Sequence, residues 1–430
     1  MIDLIAEGCA GAARWFDVIE TETRLTRVSF KNNTLYSVTS REQSGIGIRA
    51  NVQGRTGFSY TNDKTRALDA ARRAVDCAPF GEAEDLDLPS SAELIFNPYD
   101  TGVERFSLSS EIAAIEEAIA SIRSRFPSAT VDADSSCAIG RTRILNSRGL
   151  DASYQSSIYR ISISATIVME DGSRVDVWDG FSSQAPTSIR HLPNAIISRL
   201  GNALTVRKIS SGSVPALFTP KAVARLIGIL TAPLSARSVW RGVSPFAGRI
   251  GERIFNPSFT LRDDPALMES PFSYPFDDEG VTAKTKDLVA CGTLQRFITD
   301  LRHAARLGIA AEGNGGRNYH SLPSPSFSNV VIEAGSESYA ALTAGIKRGI
   351  LVDQFIGLGQ SNTLQGDFSA NLDLAYLIEN GTVAGRVKDC MISGNLFSLL
   401  AGEVAFSAER ERRGSVIAPY ILFPSVSLVG

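Results

Sequence analysis

Three consecutive carboxylates, Asp277, Asp278 and Glu279, follow the proline- and aromatic-rich run Pro271–Pro275 and are closed by Gly280. Like charges held side by side raise one another's pKa, and a carboxyl poised nearer neutrality suits general acid–base catalysis. Two polar loops come later in the chain. The first, 312–320, carries Gly313, Asn314, Gly315, Gly316, Arg317 and His320; the second, 356–369, carries Gly357, Gly359, Gln360, Asn362 and Ser369. Amide and guanidinium groups on flexible backbone suit recognition of a peptide backbone or a carboxylate. Turn chemistry plus a solvated charge run explains each cluster about equally well.

Other chemistries are thinly supported. The histidines are His191, His303 and His320, and no two have the i,i+4 or i,i+5 spacing that lets imidazoles converge on one ion from a helix. His303 sits in the helical stretch 300–306 and His320 follows the glycine-rich loop, so the pair could meet in space. A lone histidine is more often an ordinary core or surface residue. There is no G-x-S-x-G elbow, and no cysteine has a neighbourhood that marks a nucleophile. Gly45-Ile46-Gly47 lacks the third glycine of a dinucleotide fingerprint and reads as part of a hairpin. Neither a metal nor another cofactor is expected.

The elements that must position these groups are legible from periodicity. Residues 15–20 and 25–30 alternate as strands, with a turn at 31–34, and 45–50 and 55–60 repeat the pattern around Gln53-Gly54. A helix is expected from Asp63 to about Cys77, and another from about Ser110 to Phe126, with Ile112, Ile115, Ile119 and Ile122 in register and Pro127 as its stop. Strands follow over 142–146, 157–168 and 174–178. Thr219-Pro220 caps a further helix. Beyond Pro233 the chain turns to short strands and brief helices, one from Asp300 to Gly308, others near 338–345 and 395–406. The expected class is α+β: an N-terminal mixed sheet with helices over 1–190 and a C-terminal β-rich, barrel-like domain over 191–430.

Composition sets the outer limits. A chain of 430 residues exceeds one ordinary core. Its net charge of −3 gives no electrostatic reason to expect nucleic acid or an anionic membrane as partner. Cys9, Cys77, Cys137, Cys291 and Cys390 form no CxxC pair, as suits reduced thiols. No signal-peptide pattern opens the chain, and every apolar stretch is broken before the roughly 18 residues a membrane span needs. The expected address is the cytoplasm.

Taken in order, several segments resemble the TldD/PmbA family, once labelled modulators of DNA gyrase. They include Ser40-Arg41-Glu42 through Arg49, Gly54-Arg55-Thr56-Gly57-Phe58, Asn146-Ser147-Arg148-Gly149 and Gly248-Arg249-Ile250-Gly251-Glu252. Asp277–Gly280, Gly313–Arg317, Ser328-Asn329, Gly366–Ser369, Ile378–Gly381 and Ile392–Asn395 complete the set. Each is weak alone; their common order is what carries the resemblance. The family has TldD-like subunits, with an H-E-x-x-x-H helix and a C-terminal cysteine as zinc ligands, and PmbA/TldE-like subunits that lack them. By that resemblance Gly228 and Pro233 stand where the histidines would be and Ile229 where the glutamate would be, and Arg410–Gly414 holds no cysteine.

The resemblance implies an α+β fold and a dimer enclosing a chamber, in which an extended peptide is taken up as an added strand and cleaved. It also implies a PmbA/TldE-like role for this chain, with a TldD-like subunit, or itself, as partner. An alternative is an autonomous metal-free homodimeric amide hydrolase in natural-product or modified-peptide biosynthesis, acting on a modified peptide or an amide-containing small molecule. Asp277, Asp278, Glu279 and His303 or His320 would then be its acid–base groups, and Asn314, Arg317, Asn329, Asn362 and Ser369 its substrate contacts. A gyrase-associated binding module is the remaining alternative, and the charge argues against direct DNA contact.

Overall fold

The computed structural model describes residues 2–430. Period-two alternation builds the first sheet from β1 (Trp15–Lys31), β2 (Thr34–Val52), β3 (Arg55–Thr61), β4 (Thr130–Asn146), β5 (Asp151–Val168) and β6 (Arg174–Ser183), in the order β3-β2-β1-β4-β5-β6. Asn32 and Asn33 both take positive φ between β1 and β2, as do Gln53 and Gly54 between β2 and β3. Such two-residue turns match the right-handed twist of the strands they join. The sheet expected to be mixed is antiparallel throughout, because its neighbours are joined by hairpins or, for β1 and β4, by a returning helical segment. The two strands expected within 15–30 are one: Thr21–Arg24 stay paired to β2 and β4 on both sides.

Helices α1 (Ile2–Cys9) and α2 (Ala67–Cys77) cover one end of this sheet. Ala67, Ala70, Ala71 and Ala74 are fully buried, so α2 lies close to the strands. Gly57 permits that approach: a Cβ there would stand 2.0 Å from the Ala74 carbonyl oxygen. Helix α3 (Leu108–Arg125) is capped by Ser107, whose hydroxyl accepts from the Ser110 N–H, and buries Ile115, Ile119 and Ile122. Helix α4 (His191–Ala203) packs with it, and Leu192, Ile196 and Leu200 share one apolar cluster with Ile161 and Ile163 of β5.

The second body runs through β7 (Val206–Arg207), β8 (Gly212–Phe218), α5 (Pro220–Leu226), α6 (Ala236–Trp240), β9 (Leu261–Asp263), β10 (Lys286–Ala290) and β11 (Thr293–Leu294). It continues with α7 (Leu301–Leu307), β12 (Gly315–Gly316), β13 (Ser324–Pro325), β14 (Val330–Ile332), α8 (Tyr339–Ala344), β15 (Arg348–Ile356) and β16 (Asp367–Glu379). Last come β17 (Thr382–Val387), β18 (Met391–Asn395), α9 (Leu396–Ala401), β19 (Ala405–Arg413) and β20 (Val416–Val429). Five of these strands, β20, β8, β15, β16 and β18, pair in a ring and close a barrel. Parallel pairs occur here, β8 with β15 and β14 with β20. The helix expected over 395–406 stops at Ala401, where Gly402 caps it and β19 follows.

The two bodies share a core, since Leu351, Leu374, Tyr376 and Ile378 of the barrel join the cluster of β5 and α4. No described helix is long and apolar enough to cross a membrane.

Candidate functional site

The acidic run lies where the barrel body meets the first sheet. The Asp277 carboxylate accepts from the backbone N–H groups of Glu279 (2.9 Å), Val281 (2.9 Å) and Gly315 (2.7 Å). Asp278 accepts from the Arg317 N–H at 2.8 Å, and its carbonyl accepts from Arg317 Nε at 2.9 Å. Glu279 accepts from the Leu301 N–H at 2.8 Å, at the N-terminus of α7, and faces Arg49 Nη2 at 2.9 Å. Arg49 also donates to Asp17 at 2.8 and 2.5 Å, and Arg317 reaches the same carboxylate at 3.0 Å. A Cβ on Gly315 would stand 2.3 Å from Glu279 Oε2, so only glycine lets this loop close over the carboxylate.

Burial sets the electrostatics of the run. It pushes the Asp278 carboxyl up to about 6. Asp277 is raised by burial and by the neighbouring Glu279 charge, and Glu279 is raised by burial against the pull of Arg49. Burial acts on Asp17 in the same sense, but Arg317 and Arg49 hold it below the ordinary carboxylate range. Each of the three carboxylates in the run is engaged in bonds that clasp loops together.

Asn314 and Asn329 are bonded as completely. Asn314 Nδ2 donates to Asp263 (2.8 Å) and to the Ser326 carbonyl (2.9 Å), and Lys286 donates to Asn314 Oδ1 and to the Glu312 carbonyl. Asn329 Nδ2 donates to the Asp264 carbonyl (2.8 Å) and Ser273 Oγ (2.9 Å), and its oxygen accepts from Ser270. Asn362 lies apart, exposed on the β15–β16 connection, and Ser369 Oγ on β16 bonds Met391 Sδ on β18 at 3.1 Å.

The histidines separate. His303 Nδ1 pairs with Asp300 Oδ1 at 2.6 Å, and the same oxygen caps α7 by accepting from the His303 N–H at 2.8 Å. The ring meets Trp240 edge-on at 6.1 Å and lines a cavity of about 310 Å³ between α6 and α7. His320 is exposed, packs against Tyr319 and Tyr60, and is not among the residues lining that cavity.

A second junction had only a faint sequence signal, the lysine that follows Thr219-Pro220. Lys221 Nζ donates to the Trp178 carbonyl (2.9 Å) and Gln354 Oε1 (2.8 Å) and pairs with Asp353 at 2.6 Å. Burial pulls its pKa down to about 8 despite the Asp353 charge. Gln354 also accepts from the Trp178 N–H and donates to the Asp176 carbonyl, so side chains of the barrel body occupy the edge of β6. Beside it, Asp179 takes Arg199 and Arg413; these charges hold its carboxyl down at about 2 although burial pushes it up. A groove of about 450 Å³ crosses the strand face here, lined by Arg27, Ser136, Arg160, Ser162 and Trp178, with Gly414 of the β19–β20 turn at its rim.

The chain is similar to known proteins over most of its length. A family model for the PmbA/TldA metallopeptidase C-terminal domain matches residues 211–430, and those for its domain 1 and central domain match 16–78 and 103–200. The last two segments share the single six-stranded sheet. The metalloprotease PmbA of Escherichia coli O157:H7 is 23% identical over 439 residues, covering 99% of this chain and 94% of that protein. A metalloprotease of Methanothermobacter thermautotrophicus is 26% identical over 403 residues, covering 89% and 86%. The crystal structure of TldE from Thermococcus kodakarensis superposes with a TM-score of 0.92 at 24% identity, over 100% of both chains, a likeness of fold.

A metallopeptidase model implies a metal, and the side chains here do not fit one. In the stretch 226–233, Leu226, Ile227, Ile229 and Leu230 point into the core, Gly228 has no side chain and Pro233 is buried. Among the described residues no three His, Cys, Asp or Glu groups converge as ligands.

Proposed function

This chain belongs to the PmbA/TldA metallopeptidase family, and from that premise we propose that it is a PmbA/TldE-like, non-metal subunit of a peptidase dimer. A TldD-like partner supplies the metal and cleaves the bond; this chain completes the chamber and holds an extended peptide. The observation that carries the reading is the aliphatic stretch 226–233 inside an otherwise complete family fold. The groove beside β6 is a suitable peptide bed, lined by serines, by Arg27 paired with Asp134, and by Arg160. Strand addition at β6 itself would compete with Gln354 and Lys221; at the other end of the sheet the 82–84 segment bridges β3 at Arg55 and Thr56, and among the described residues no further strand covers the rest of that edge.

The test is co-expression with a tagged TldD-like subunit from the same genome. Co-purification as a one-to-one complex is expected. Recovery of the tagged subunit alone would sink the proposal.

The Asp300–His303 pair favours a second reading, a metal-free amide hydrolase in which His303 handles the proton. Chelator-treated protein alone would then turn over an amide substrate, and His303→Asn would abolish it. A preparation inert to amides without its partner removes this reading.

A further inference from the structure

We propose that the cavity between α6 and α7 is an oxyanion site, built to take a carboxylate or phosphate group. Four guanidinium groups, those of Arg237, Arg241, Arg302 and Arg306, line it together with His303. Glu82 is the one acid on its wall; it takes Arg306 at 2.7 Å and Arg302 at 3.6 Å, and the buried Glu84 takes Arg302 as well. That leaves Arg237 and Arg241, both exposed, with no carboxylate within 4.0 Å among the described residues. The cavity therefore carries more positive charge than its own acids balance.

The arrangement is directed as well as charged. The Arg306 guanidinium lies 4.0 Å over the Trp240 ring, which fixes its plane. His303 is 5% exposed, and Asp300 engages its Nδ1. Its Nε2 has no hydrogen-bond partner among the described residues. The nitrogen that Asp300 does not engage is left for a hydrogen bond with a bound group. Planar guanidinium forks suit a planar or tetrahedral oxyanion, and such charge-assisted bonds are the strong ones. Leu322 and Pro323 add an apolar wall, which fits an anion borne at the end of a peptide.

This inference rests on the cavity alone and stands whichever reading of the subunit's role holds. It is tested by titration calorimetry on the full chain with three probes: inorganic phosphate, an N-acetylated dipeptide as the free acid, and the same dipeptide as its amide. The variant is Arg237→Gln/Arg241→Gln, whose exposed, unpaired side chains can change without disturbing the fold, checked by an unchanged melting temperature. At least one anion is expected to bind the wild type and to bind the variant about tenfold more weakly or worse, with the amide silent. Binding of the acid displaced by phosphate marks a general oxyanion site; acid alone marks a peptide terminus; phosphate alone marks the free ion. Equal binding of the anion by wild type and variant, or no anion binding to the wild type, overturns the proposal.

Discussion

Arg49 Nη2 lies 2.9 Å from Glu279 Oε1, and neither side chain reaches solvent, although one comes from β2 of the first sheet and the other from a loop of the barrel body. Asp17 and Arg317 complete the arrangement, so each body contributes one acid and one base. Arg49 and Asp17 already pair within the first sheet, and docking of the barrel body adds Glu279 to the one and Arg317 to the other. The junction ties the two sheets together through buried ion pairs.

Arg49→Met leaves Asp17 and Glu279 buried with a missing cation, and breaking such a network costs about 3–5 kcal/mol. Urea denaturation reads it as a lowered midpoint. A loss below about 1 kcal/mol, typical of a surface pair, would show that the network does not hold the junction.

Asp278 gives a pH dependence with a definite sign. Its folded carboxyl titrates at about 6, against about 3.9 in an unfolded chain. The folded state thus holds a proton that the unfolded state releases, so this group's contribution falls as pH rises from about 4 to 6 and is level above that. Asp278→Asn keeps an acceptor for the Arg317 N–H and removes the titration. The difference in melting temperature, variant minus wild type, is expected to grow across that window and then flatten.

Lys221→Met strips three buried acceptors, the Trp178 carbonyl, Gln354 and Asp353, of their common donor. The expected cost is about 3 kcal/mol, from a buried carboxylate left with Arg199, at 3.8 Å, as its remaining cation among the described residues. Melting of Lys221→Met/Asp353→Leu beside the single variant checks the cause. The double variant recovers much of the loss if the orphaned charge is responsible.

Gly315→Ala puts a methyl where Glu279 Oε2 lies 2.3 Å away. Overpacking at a buried, bonded carboxylate is expected to cost about 1–3 kcal/mol. A thermal scan of the variant reads it, and no shift would mean that the loop yields freely.

Local signals were legible and long-range ones were not. Asp300 and Gly308 bracket α7 as the sequence indicates, one as a side-chain cap and the other in the left-handed region, because both depend on a few adjacent residues. The strand pair within 15–30 reads as two because Thr21–Arg24 are polar, yet pairing to β2 and β4 carries the strand through. Barrel closure depends on β18 meeting β20 and β16, which no local period encodes. The acidic run is visible as a motif, but its bonding partners, Arg49 and the N–H groups of Gly315 and Arg317, lie far away in the chain. The Lys221 junction carries no motif at all, since its acceptors come from β6 and β15.

The most direct test of the subunit reading is the native mass and bound-metal content of this protein alone and after mixing with a TldD-like partner. The expected result is a stable heterodimer whose metal is carried by the partner, with none retained by this chain after purification alone. A metal-bound preparation of this chain by itself, or a homodimer indifferent to the partner, would contradict it.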